Sequence, residues 1–195
     1  MALARTVADL DTEVGILRLV AEAGRLTEIR WRRAGERSAG PPTGGLLRSV
    51  AAAVNAALRG REPRLELDLA GLPPFHQRVL RALREVPRGS VIRYAELAAR
   101  VGSPRAARAV GDAMRRNPFP ILIPCHRVVA RGGLGGFGGG LEIKRRLLRS
   151  EGVDLDFIGG RAVADLRPEE RDEHVTASQR HRNRRHVARK RSPRR

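Results

Sequence analysis

The chain has 195 residues, 41% hydrophobic and only 3% aromatic, with a net charge of +18 and a pI near 11.7. Its single cysteine excludes an internal disulfide and any multi-thiol zinc site, and points to a reduced, cytoplasmic setting. No apolar run approaches the ~20 residues of a membrane span, and nothing resembles a secretory signal.

The charge is uneven. Residues 75–152 hold 16 basic and 5 acidic residues, whereas residues 1–74 are nearly balanced at 11 and 9. A local excess of that size points to a polyanion such as DNA, RNA or an anionic membrane. All but Lys144 and Lys190 of the basic residues are arginine.

In chain order, "VGILRLVAEAGRLTEIRW" (14–31) predicts a β-hairpin turning at "EAGR". "GERSAGPPTGG" is a loop. "LLRSVAAAVNAALRG" (46–60) predicts a helix stopped by Gly60. "RLELDL" (64–69) alternates with period two and predicts a strand. "GLPPF" (71–75) then separates a small N-terminal α/β unit from the basic unit. Next, "PFHQRVLRALREVPRG" puts Phe75, Val79, Leu80 and Leu83 on one helical face. "YAELAARVG" (94–102) is a short helix. "SPRAARAVGDAMRRN" (103–117) starts another, with Ser103 as N-cap and proline at the first helical position. Two short helices joined by "GSP" form a helix-turn-helix signature. "LEIKRRLLRSEG" (141–152) is a final amphipathic helix. The polar, aperiodic residues 158–195 read as a basic disordered tail.

Between the last two helices lies "PFPILIPCHRVVARGGLGGFGGG" (118–140), which contains the only thiol. Pro118, Pro120 and Pro124 stiffen the approach to Cys125. His126 is the obvious activating base. In an extended chain, however, neighbouring side chains point to opposite faces, so His126 needs a bend or a water relay to reach the thiol. Such a base usually needs an orienting carboxylate, for which Glu151 and Glu142 are the nearest downstream candidates.

"NPFPILIPCHRVV", the glycine-rich loop, "GGGLEIKRRLLRSEG" and the upstream "VIRYAELAARVGSPRAARAVGDAM" together resemble the O6-alkylguanine-DNA alkyltransferase family over roughly residues 74–153. The resemblance implies an RNase H-like α/β domain over 1–70 and a mainly α, winged-helix-like active-site domain with a helix-turn-helix over 71–157; the tail over 158–195 has no counterpart in it.

It also implies roles. Cys125 accepts an alkyl group from the O6 atom of a flipped guanine in double-stranded DNA and keeps it as a thioether. His126 acts through a water and Glu151 orients it. Asn117 holds the cysteine loop, and Tyr94 protonates N3 of the leaving guanine. Arg108 fills the emptied place in the base stack, with Ser103, Arg105, Ala107 and Arg115 on the same DNA-facing segment. The pocket takes in Met114, Pro120, Val128, Leu134, Gly135, Phe137, Gly138 and Gly139, with Lys144 behind. No cofactor is implied, and no zinc, because the N-terminal unit lacks Cys and His. The expected state is a monomer away from membranes. One departure is the pocket loop, where Phe137-Gly138-Gly139-Gly140 stands in place of the family's frequent Tyr-Ser-Gly-Gly. The alternative is a non-catalytic relative that binds and flags alkylated DNA.

Overall fold

A computed structural model of the chain describes residues 5–61, 63, 65–155 and 158. The tail expected from residue 158 therefore lies, apart from Ile158, outside the described residues.

The hairpin forms as β2 (Leu17–Glu22) and β3 (Arg25–Trp31). Its turn residues Ala23 and Gly24 both have positive φ, 50° and 75°, the backbone that matches the right-handed twist of two paired strands. The sequence reading missed a third strand. β1 (Arg5–Leu10) pairs antiparallel with β2 along its whole length. It is an edge strand, and Arg5 at its start with Asp9 inside it hides the alternation that would have marked it. Leu17, Leu19, Leu26 and Ile29 pack against Leu47, Val50 and Val54 of α1 (Gly45–Leu58) in one core.

Asp9 and Arg18 face each other across β1 and β2. The pair is buried but satisfied: Arg18 Nε and Nη2 donate to the Asp9 carboxylate at 2.8 and 3.0 Å, and Ala39 N donates at 3.0 Å. The hydrogen bond from Arg18 holds the Asp9 carboxyl well below the usual carboxylate range despite burial. This pair clips the loop after β3 onto the sheet.

"RLELDL" is not a strand. Its burial does alternate, with Leu69 buried and Glu66 and Asp68 exposed. Among the described residues no strand pairs with residues 65–69, so the period-two pattern marks only a segment lying flat on the core.

The remaining helices are α2 (Pro74–Arg84), α3 (Tyr94–Arg100), α4 (Ala107–Arg115) and α5 (Leu141–Ser150). Glu96 accepts from Arg93 N at 2.8 Å and fixes the start of α3. α4 starts later than its sequence suggests: its N-cap is Ala106, not Ser103. Ser103 O accepts from Ala106 N at 2.9 Å, so Ser103–Ala106 close a turn before the helix begins. α3 and α4 pack together as the helix-turn-helix. Two short parallel strands, β4 (Ile92–Arg93) and β5 (Val128–Val129), tie the start of α3 to the chain just after the cysteine. The main hydrophobic cluster is continuous from β1 to α5. Ile29 N also donates to Pro118 O at 2.7 Å, so β3 is joined directly to the cysteine loop. No helix among the described residues is long and apolar enough to cross a membrane.

Candidate active site

Proline cannot donate a backbone hydrogen bond, so the segment before Cys125 needs another source of order. Asn117 supplies it. Its Nδ2 donates to Ile123 O at 2.9 Å, and its Oδ1 accepts from Phe119 N at 3.0 Å. Ile123 N donates to Phe119 O at 2.8 Å. The loop so closed holds Ile121 at φ 74°, a left-handed conformation that a β-branched residue adopts only under constraint. The chain then enters a 3-10 turn over Cys125–Arg127. This is the bend that the extended reading lacked.

Behind the turn is a buried ion cluster. His126 is 2% exposed and Glu151 5%. His126 Nε2 lies 3.0 Å from Glu151 Oε1. Arg127 grips the same carboxylate with two bonds of 2.9 Å, from Nε to Oε2 and from Nη2 to Oε1, and its Nη1 donates to Val86 O at 2.6 Å. Burial alone would raise the Glu151 pKa, but the hydrogen bonds from His126 and Arg127 outweigh it and hold the carboxyl at about 2. Burial pushes the imidazole the other way and keeps it neutral, against the pull of Glu151.

These two directions fix the tautomer. An ionised carboxylate can only accept, so Nε2 carries the hydrogen and Nδ1 is left with a lone pair. Nδ1 is buried and has no hydrogen-bond partner among the described residues. The site therefore holds a base with its acceptor atom free. Of the two candidate carboxylates, Glu142 is exposed and pairs with Arg146 at 3.3 Å, so it has no part in this cluster.

Cys125, 8% exposed, opens on the other side into a cavity of about 370 Å³. The cavity is lined by Tyr94, Gly111, Met114, Arg115, Cys125, Gly136, Phe137 and Gly138. That volume lies within the ~300–1,000 Å³ range of small-molecule sites. Burial raises the thiol pKa; the Asn117 side chain, the Lys144 charge and the backbone N–H groups of Cys125 and His126 oppose it. Tyr94 is half-buried, and burial together with the nearby Cys125 raises its pKa, so its hydroxyl stays protonated and able to donate.

Residues 74–153 match the family description "6-O-methylguanine DNA methyltransferase, DNA binding domain". The methylated-DNA–protein-cysteine methyltransferase of Mycobacterium bovis is 39% identical over 163 residues, 80% of this chain and 94% of that protein. This chain belongs to that family. The protein of the same name from Methanothermobacter thermautotrophicus is 49% identical over 92 residues, where the match spans 46% of this chain and about half, 51%, of the relative. Among solved structures, Mycobacterium tuberculosis OGT in complex with DNA superimposes with a TM-score of 0.65 at 39% identity, covering 75% of this chain and 92% of that one. The O6-methylguanine-DNA methyltransferase of Pyrococcus kodakaraensis KOD1 gives 0.59 at 31%, covering 77% and 100%.

In this family member, the residues read from sequence fall into distinct layers. Met114, Phe137 and Gly138 line the cavity, with Gly136 of the same expected loop; Gly111 lines it too, as does Arg115, expected only on DNA. Gly135 stands behind Tyr94: a methyl group there would lie 3.2 Å from the Tyr94 hydroxyl. Gly139 stands against Trp31. Pro120, Val128 and Leu134 do not line the cavity. Pro120 and Val128 are buried in its supporting wall, and Leu134 packs in a small cluster with Val129 and Leu148. The resemblance implies a place for them at the pocket, and a motif does not say which way a side chain points. Arg105 and Arg108 are exposed, and neither guanidinium has a partner among the described residues. Arg127 was overlooked, although it stands within the Pro-Cys-His-Arg-Val run; its signal was an arginine inside an otherwise buried stretch.

Lys144 is fully buried and donates to Val128 O and Leu134 O, both at 2.6 Å, and to Gly136 O at 3.3 Å. Burial lowers its pKa to about 8, with the Cys125 thiolate opposing, so it carries charge at neutral pH. That charge favours the thiolate. Lys144→Met is therefore expected to shift the pH profile of Cys125 alkylation by iodoacetamide to higher pH. With one cysteine in the chain, the labelled mass reports that site alone, and an unmoved profile would exclude the electrostatic role.

Proposed function

We propose that this protein repairs DNA by direct reversal, moving an alkyl group from the O6 atom of guanine to its own Cys125 in a single, irreversible turnover. The observation that carries the reading is that the chain's one thiol opens into a cavity shared with Tyr94 and with Met114 and Arg115 of the second helix-turn-helix helix.

The chemistry follows from the residues. His126 Nδ1 takes the thiol proton, directly or across one water, and the imidazolium so formed is stabilised by Glu151, which Arg127 holds in place. The thiolate attacks the alkyl carbon in line, a carbon–sulfur bond forms and the carbon–O6 bond breaks. Tyr94 gives its proton to N3 as charge develops on guanine, so the leaving base departs neutral. The relay then returns a proton to the tyrosine. The thioether has no comparable route back to thiolate, which limits the protein to one event.

The target atom is inside a stacked duplex, so the base must be flipped out at a cost of a few kcal/mol. Exposed, unpaired Arg108 on α4 suits the gap it leaves. Ser103, Arg105 and Ala107 belong to the same approach to DNA, where phosphate contacts and groove shape matter more than base sequence. The N-terminal sheet and α1 act as an RNase H-like domain over 1–70, and residues 71–157 act as a winged-helix-like reaction domain. In this reading the protein works as a monomer in the cytoplasm, where its thiol stays reduced.

Intact-mass measurement tests the reading. Protein mixed with duplex DNA containing O6-methylguanine should gain the mass of one methylene group, stoichiometrically, on the peptide that contains Cys125. Tight binding without a mass gain would favour the flagging alternative.

A further inference from the structure

We propose that Trp31, outside the reaction domain, is the positioning residue that sets the height of the pocket loop over Cys125 and so the size of alkyl group the site takes. The proposal rests on the alkyl-transfer reading above.

The cavity wall Gly136–Phe137–Gly138 is part of a loop with few fixed points. Lys144 Nζ holds its carbonyls at Leu134 and Gly136, and Gly140 N donates to Phe137 O at 3.0 Å. Beyond Gly136, the Phe137 ring meets His126 edge-on at 6.5 Å and lies 6.0 Å from Lys144 Nζ on its inner side, and Trp31 braces the outer half of the loop. The indole meets the Phe137 ring edge-on, with centroids 5.3 Å apart and planes at 70°. It also lies flat against Gly139: a methyl group at Gly139 would stand 2.9 Å from Cδ2 and Cε2, closer than real carbon contacts allow. Gly139 is not among the positive-φ glycines, so its backbone alone would tolerate alanine. What excludes a side chain there is the indole.

Trp31 is itself fixed. Its Nε1 donates to Val14 O at 3.1 Å, and a methyl group at Gly15 would touch Cδ1 at 3.6 Å. It ends β3, the strand whose Ile29 N holds Pro118 O on the other side of the cysteine. One strand thus braces both walls of the site: the stiff proline approach by its backbone, the glycine-rich loop by its last side chain. Removing the indole leaves Phe137 without that edge contact and frees a loop rich in glycine, which has little conformational preference of its own.

The test compares transfer rates from duplex DNA containing O6-methylguanine and O6-benzylguanine, for the wild type, Trp31→Ala, Gly139→Ala and the double variant. Trp31→Ala should raise the benzyl-to-methyl rate ratio about tenfold, mainly by slowing methyl transfer on a wall that no longer closes. Gly139→Ala, which pushes the loop off an intact indole, should move the ratio in the same direction. In the Trp31→Ala background the same alanine should change it less than about twofold, because two residues in contact are not additive. An unmoved ratio in both single variants, or additive effects in the double variant, would overturn the proposal. If Trp31→Ala does not fold, Gly139→Ala alone decides, since it alters an unpaired loop residue. Wild-type protein that transfers neither group would overturn the alkyl-transfer reading and this proposal with it; wild-type transfer with an unmoved ratio overturns this proposal alone.

Discussion

Cys125→Ser should abolish alkyl transfer while leaving affinity for duplex DNA within about twofold, the scale of a change that removes no binding contact. Sulfur matters here for two reasons. The reaction is displacement at a saturated carbon, for which thiolate is the best side-chain nucleophile. A serine hydroxyl in the same place ionises far too weakly for neutral His126 to activate it toward that carbon. The side chains proposed to meet DNA sit on the turn before α4 and on α4 itself, and among the described residues Cys125 makes no ion pair with them. Single-turnover assays on methylated duplex and a fluorescence-anisotropy titration would separate the two effects. Transfer by the serine variant, or loss of binding along with transfer, would contradict the assignment.

Glu151→Gln should have the largest effect on stability and also slow the chemistry. The change keeps the shape but removes the charge that pairs with buried Arg127. Leaving one partner of a buried pair uncompensated costs about 3–5 kcal/mol. For a chain of this size the melting midpoint should fall by roughly 10 °C. The amide can also present N–H to His126 Nε2, which would move the imidazole hydrogen to Nδ1 and remove the free acceptor. A wrong tautomer of this kind costs about 10²–10⁴ in rate.

The pH dependence has a definite sign. Glu151 has its pKa depressed on folding from 4.5 to about 2. Its contribution is therefore present above about pH 4.5 and is lost as pH falls through 2. Wild-type stability should drop across that window by a few kcal/mol more than that of Glu151→Gln. The variant keeps a residual slope from buried Asp9, whose carboxyl is lowered in the same direction. Equal slopes for the two proteins in acid denaturation would show that the carboxylate is not held as the geometry indicates.

The local devices of this fold were legible as residues. The Ala23–Gly24 turn, the helix ended by Gly60 and the thiol behind three prolines all follow from conformational preferences that act within a few residues. The errors have one origin. "RLELDL" has the alternation of a strand, but being a strand requires a neighbour, and among the described residues none pairs with 65–69. Ser103 and Pro104 carry good helix-start chemistry, yet the chain spends them on a turn that brings α4 against α3. β1 is hard to see in the sequence because it is short and carries Arg5 at its start and Asp9 next to its end, the latter neutralised by Arg18 of the neighbouring strand.

The same division runs through the site. The residues and their spacing were enough to single out Cys125 as candidate nucleophile, His126 as its candidate base and residues 75–152 as a basic segment suited to a polyanion. Folding in three dimensions is what puts Arg127 on the Glu151 carboxylate, leaves Glu142 outside the cluster, and brings Trp31, more than a hundred residues away in sequence, against Gly139 of the pocket loop. The physical reason is that burial, hydrogen bonding and close packing are set by distance in space, and residues far apart in the chain carry no local sign of which partner they will meet.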